Sequence, residues 1–218
     1  MKKVPDLRLY LVTDRRLCLG CPFEKMIEAA LRGGVTAVQL REKECSTREF
    51  VMTAKRVQEV LKSFHVPLII NDRVDVALAV GAEGVHLGQM DMPYREARKL
   101  MGPKAIIGLS VETLEQALEV EDWDVDYLGV SPIFPTPTKT DTLSEWGIEG
   151  LRTLRSRSRH MLIAIGGIHP ANAAQVMEAG ADGIAVVSAI CAAADPEEVS
   201  RQLRRIVERT VSDSPGDR

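Results

Sequence analysis

The sequence lacks any apolar run near the roughly 20 residues a bilayer-spanning helix needs, so a membrane partner is not expected. Aromatics are scarce, at 4% of 218 residues, and Lys and Arg nowhere form a block. Binding a phosphate backbone takes clustered cations, so nucleic acid is not an expected partner either. Neither sign of charge dominates: 28 Lys and Arg stand against 31 Asp and Glu, for a net charge of −3. That balance still allows a local basic cluster for a small anionic ligand. Cysteine is too sparse and scattered for a disulfide framework. Cys18, Cys21, Cys45 and Cys191 fit a reducing, cytoplasmic setting. Cys18 and Cys21 have C-x-x-C spacing, but no second pair or nearby His completes a zinc site, and the segment reads as an ordinary loop. The first residues resemble a signal peptide only superficially. Asp6 and Arg8 interrupt the apolar stretch and Asp14 ends it.

What is present is an alternation. Short apolar runs occur at Leu7–Val12, Ala37–Leu40, Pro67–Ile70, Gly84–Leu87, Ala105–Leu109, Tyr127–Val130, Met161–Ile165 and Gly183–Val187. Near-continuous, β-branched-rich runs of this kind are strands buried on both faces. Between them lie helical patterns. Phe23, Met26, Ile27, Ala30 and Leu31 share one helix face, as do Val199, Leu203, Ile206 and Val207. Gly81-Ala-Glu-Gly84 is echoed by Gly180-Ala-Asp-Gly183, and more loosely by Gly33-Gly34-Val35-Thr36. One helix-to-strand turn is therefore used repeatedly, with glycine ending the helix. Eight strands alternating with helices imply an α/β fold with parallel pairing. A single-domain (β/α)8 TIM barrel over residues 1–211 accounts for the pattern, with 212–218 a frayed polar tail. An open doubly wound sheet is the alternative, but it would gather its site at one switch point. Here site candidates follow nearly every strand.

In a barrel, the C-terminal strand ends face one site. After strand two, Gln39, Arg41 and Lys43 share one side of the chain by period two and point inward, a set suited to a polyanion. Asp72 and Asp91 follow strands three and four, and two carboxylates there suit Mg2+. Each alone could instead cap a helix. His86 lies mid-strand and reads as a satisfied core histidine. Ser110 ends strand five in reach of a ligand, with no evident base nearby to make it a nucleophile. After strand six, Thr136-Pro137-Thr138-Lys139 forms a Pro-stiffened polar loop. Gly166 and Gly167 after strand seven, and Val187 and Ser188 after strand eight, match the usual barrel phosphate site.

Together these motifs resemble the thiamine phosphate synthase family, from Leu9-Tyr-Leu-Val-Thr-Asp14 to about Val207. The segments that carry the resemblance are Gln39-Leu-Arg-Glu-Lys43, Asn71-Asp72, His86-Leu-Gly-Gln-Met-Asp91, Phe134-Pro-Thr-Pro-Thr-Lys139, Ile165-Gly-Gly167 and Val187-Ser188. The resemblance implies an enzyme that joins a hydroxymethylpyrimidine diphosphate to a thiazole phosphate and releases diphosphate. By the same resemblance Gln39, Leu40, Arg41, Glu42, Lys43, Asn71, Ser110 and Lys139 bind the pyrimidine diphosphate. Asp72 and Asp91 ligate Mg2+. Thr136, Pro137, Thr138, Gly166, Gly167, Val187 and Ser188 hold the thiazole phosphate. Arg41, Lys43 and Lys139 stabilise the departing diphosphate. Ser131 stands where the family often has Gly. Two rivals need less of this machinery: a thiazole tautomerase-like isomerase, and a non-catalytic phosphate-binding barrel.

Overall fold

Apolar runs of four to six residues cannot be buried singly, and their backbone groups need partners on both edges. In the computed structural model, which describes residues 5–18, 20–136 and 145–212, closure meets both demands. The strands are β1 (Leu9–Val12), β2 (Ala37–Leu40), β3 (Leu68–Asn71), β4 (Gly84–Leu87), β5 (Ile106–Val111), β6 (Tyr127–Val130), β7 (Leu162–Ile165) and β8 (Gly183–Val186). Each pairs in parallel with the next, and β8 pairs with β1, so the sheet has no edge. The helices are α1 (Phe23–Arg32), α2 (Thr47–Lys62), α3 (Val74–Val80), α4 (Tyr94–Met101), α5 (Leu114–Glu119), α6 (Gly147–Arg155) and α7 (Ala173–Glu178), then α8 (Ser188–Cys191) and α9 (Pro196–Ser212) after β8. The expected (β/α)8 barrel is the observed fold. Of the tail expected over 212–218, Ser212 is the last residue of α9 and 213–218 lie outside the described residues; no described helix is long and apolar enough to cross a membrane.

Strand alternation makes two cores. Outward residues such as Leu9, Leu11, Val38 and Leu40 pack against the helices. Inward residues, among them Tyr10, Val12, Ile69, Tyr127, Ile163 and Ala185, fill the lumen. The helices carry matching faces. In α2 the buried side chains Phe50, Ala54, Val57 and Leu61 recur at helical spacing, and Ser46 with Glu49 closes a reciprocal cap at its start.

The repeated turn has a specific use. The residue before each even strand accepts a hydrogen bond from the preceding odd strand's backbone N–H. Thr36 Oγ accepts from Leu9, Glu83 Oε2 from Leu68, Asp126 Oδ2 from Ile107 and Asp182 Oδ2 from Leu162, at 2.8–3.1 Å. At the same end, Arg98 donates to the carbonyls of Gly102, Ala105 and Asp124 and to Asp126 Oδ2. The N-terminal rim is thus fastened by polar bonds, which leaves the opposite rim available for chemistry.

Candidate active site

The parity that sends Tyr10 and Tyr127 into the lumen also decides what stands above them. A cavity of about 570 Å3 opens at the C-terminal strand ends. Gln39 lines it from β2 with Arg41 and Lys43 just after that strand, Asn71 from β3 with Asp72 just after it, Asp91 after β4 and Ser110 from β5. Thr136, Gly166, Gly167, Val187 and Ser188 line it after β6, β7 and β8. The intervening residues of the β2 segment turn the other way. Leu40 is fully buried in the outer core, and Glu42 accepts from Arg15 at 2.8 Å. Leu40 and Glu42 are not among the residues that line the cavity. Pro137, Thr138 and Lys139 lie outside the described residues.

Asp72 sits in a three-residue turn. Arg73 N donates across it to the Asn71 carbonyl at 2.7 Å, and Asp72 takes φ 63°. Few non-glycine residues adopt that angle, and Asp and Asn do so most readily. The turn brings the carboxylate to 2.7 Å from Lys43 Nζ. Asp91 Oδ2 accepts from Gly88 N, and the two carboxyl groups hydrogen-bond each other. Burial opposes ionisation of Asp72, but hydrogen bonds from Lys43 and Asp91, with the charge of Lys43, hold its carboxyl below the ordinary value. Burial and the neighbouring Asp72 raise Asp91. Such a pair gains from a divalent cation, which offsets the charge of both carboxylates. Neither residue is a helix cap; those positions belong to Arg73 and Pro93. Among the described residues no third His, Cys, Asp or Glu joins the pair. Two hard oxygen donors beside open space fit Mg2+, which completes its shell with water and ligand phosphate.

Across the mouth, Gly166 and Gly167 have φ 106° and 65°. A Cβ on Gly167 would fall 2.8 Å from Phe134 Cβ, so close approach as well as conformation requires glycine there. Ser188 opens α8, where the Ile190 N–H already donates to the Val187 carbonyl at 3.2 Å but the first two N–H groups, of Ser188 and Ala189, have no acceptor earlier in the helix. Exposed N–H groups of this kind receive anions.

Ser110 departs from expectation. Its Oγ lies 2.8 Å from His86 Nε2, so a candidate base is present after all. The register pairs His86 with Gly108 on the adjacent strand, which brings residues 24 positions apart together. His86 is buried with both ring nitrogens bonded, as a core histidine would be, yet it also lines the cavity. Tyr10, Tyr127, Gln89 and Glu112 line it too, and nothing in the sequence marked them as site residues. Cys18 and Cys21 are free thiols, and burial raises Cys18, the reverse of a reactive thiolate.

Known proteins are similar to this chain in sequence and fold. The family model described as thiamine monophosphate synthase matches residues 9–190. The thiamine-phosphate synthase of Albidiferax ferrireducens is 55% identical over 94% of each chain. That of Leptospira biflexa is 52% identical over 90% of this chain and 95% of its own. The solved structure of thiamine phosphate pyrophosphorylase from Pyrococcus furiosus superposes with a TM-score of 0.85 at 42% identity, covering 94% of this chain and 97% of that one. Matched over most of its length in family model, sequence and fold, this chain belongs to the thiamine monophosphate synthase family.

Proposed function

We propose that this protein is a thiamine-phosphate synthase of the cytoplasm. It joins 4-amino-2-methyl-5-(diphosphooxymethyl)pyrimidine to 4-methyl-5-(2-phosphooxyethyl)thiazole and releases diphosphate. The observation that carries this reading is one cavity with two anion-handling sides. Arg41, Lys43 and the Asp72–Asp91 pair stand on one side. Gly167 and Ser188 stand on the other. Two phosphorylated substrates need two such sides facing each other.

The chemistry follows from the placement. As the pyrimidinyl C–O bond breaks, both bonding electrons leave with the diphosphate, and positive charge on the methylene spreads into the aminopyrimidine. Arg41 and Lys43 meet the growing negative charge, with Lys139 proposed to join them from the loop after β6. Asp72 and Asp91 would hold Mg2+, which when bound supplies further neutralisation of the diphosphate. The thiazole nitrogen then forms the new C–N bond. Thr136, Pro137, Thr138, Gly166, Gly167, Val187 and Ser188 keep it in position by its phosphate and so supply much of the rate. Gln39, Asn71 and Ser110 orient the pyrimidine, with the backbone of Leu40 and Glu42.

Binding distinguishes this reading from its rivals. Calorimetry should show that the pyrimidine diphosphate needs Mg2+ to bind tightly, whereas the thiazole phosphate does not. Mg2+-independent binding of both ligands would leave the phosphate-binding barrel as the better description.

A further inference from the structure

A hydroxyl beside an imidazole invites a nucleophile–base reading for Ser110 and His86. The protons in the lumen argue against it. Four hydrogen bonds cross the barrel in series. Gln39 Nε2 donates to the Tyr10 hydroxyl at 3.1 Å. The Tyr10 and Tyr127 hydroxyls are 2.9 Å apart, and Tyr127 lies 2.9 Å from His86 Nδ1. His86 Nε2 and Ser110 Oγ, at 2.8 Å, end the chain. Both tyrosines are fully buried, and burial raises both phenols, so each keeps its one proton. Tyr10 already accepts from Gln39, so its proton goes to Tyr127, and that of Tyr127 goes to His86 Nδ1. A neutral imidazole accepting at Nδ1 carries its hydrogen on Nε2. It therefore donates to Ser110 and cannot take the serine's proton.

The barrel is shaped around this chain. A Cβ on Gly108 would overlap the Tyr127 ring, and one on Gly129 would come within 2.9 Å of His86 Cε1. The Tyr127 and His86 rings stack at 5.5 Å and the two tyrosines meet edge to face at 5.8 Å. Packing thus fixes the rings, and the proton count fixes the direction of the bonds.

We propose that Tyr10, Tyr127 and His86 are positioning residues. They lock Ser110 as a hydrogen-bond donor toward an acceptor atom of the pyrimidine diphosphate and bar it from acting as a nucleophile. The inference rests on the synthase reading for the identity of that ligand. The direction of the chain does not.

Two measurements test it. In protein labelled with 15N in its histidine rings, NMR reads the His86 tautomer without any variant. The expected result is hydrogen on Nε2 and none on Nδ1. Hydrogen on Nδ1 would mean that the Gln39 amide presents its oxygen to Tyr10 and every bond runs the other way, which overturns the proposal. The second measurement is a double-mutant cycle. Tyr127→Phe deletes the linking hydroxyl but keeps the ring. It should lower kcat about tenfold, the scale of one hydrogen bond, with the KM for thiazole phosphate unchanged. The double variant Tyr127→Phe with Ser110→Ala should be no slower than Ser110→Ala alone, because Tyr127 acts through that serine. Losses that multiply would overturn the proposal, as would an unimpaired Ser110→Ala. If the wild-type protein forms no thiamine phosphate, the synthase reading fails instead, and the tautomer still reports on the chain.

Discussion

Replacing Asp72 with Asn removes one charge and almost nothing else. Asn tolerates the φ of 63° as Asp does. Ala would add backbone strain of about 1–2 kcal/mol and confuse the result. The Lys43–Asp72 ion pair is lost, but Lys43 is 49% exposed, so that loss is worth at most about 1 kcal/mol. Thermal melting should therefore shift by only a few degrees. Mg2+ binding should change far more. Two unit charges roughly 4 Å apart in water attract by about 1 kcal/mol, so a divalent cation loses about 2 kcal/mol, or about 30-fold in affinity. Burial at the site pushes the figure up. The assay is steady-state turnover at saturating substrates over a Mg2+ titration, alongside a melting curve. A half-saturating Mg2+ concentration equal to that of the wild type, in a protein that melts normally, would refute the assignment of Asp72 to the metal.

Three further outcomes follow from the same geometry. Burial and Asp72 hold Asp91 above its ordinary value, so a proton competes with the cation below that raised pKa. Mg2+ affinity should rise with pH until Asp91 is ionised and then level off, and Asp91→Asn should flatten the profile. Calorimetric Mg2+ titrations at several pH values check this, and a flat wild-type profile would count against it. Ser188→Asp places a negative charge at the mouth beside Gly167 and should weaken thiazole phosphate binding while sparing the pyrimidine diphosphate; the same calorimetry with both ligands decides. Arg98→Met removes five donations at the N-terminal rim, to Tyr94 Oη, the Gly102, Ala105 and Asp124 carbonyls and Asp126 Oδ2, the last a part-buried ion pair at 2.9 Å. It should cost about 3 kcal/mol in urea unfolding and leave turnover per folded molecule unchanged.

The barrel was legible because burial on both faces leaves a plain signature. β2, β4 and β6 occupy the residues their apolar runs predict. The differences have local causes. β1 begins at Leu9 rather than Leu7, because Leu7 packs beneath the lumen before pairing starts. β5 continues to Val111, since Ser110 and Val111 still pair with Gly129 and Val130 although a serine interrupts the apolar pattern. Period two placed Gln39, Arg41 and Lys43 together on the inner side. What could not be read was contact across the lumen. Tyr10 and Tyr127 are 117 positions apart, and each looks like an ordinary strand aromatic. Only register and closure bring their hydroxyls together and set His86 against Ser110. The one faint signal was glycine at 108 and 129, inside strands where a side chain would otherwise pack.

The central claim is that one cavity joins two phosphorylated substrates. Purified protein should be given both substrates with Mg2+, and thiamine phosphate and diphosphate measured in the same samples over time. The two products should appear in equal amounts, and neither should form when the pyrimidine diphosphate is omitted. Isomerisation of the thiazole alone, with no diphosphate released from the complete mixture, would contradict it.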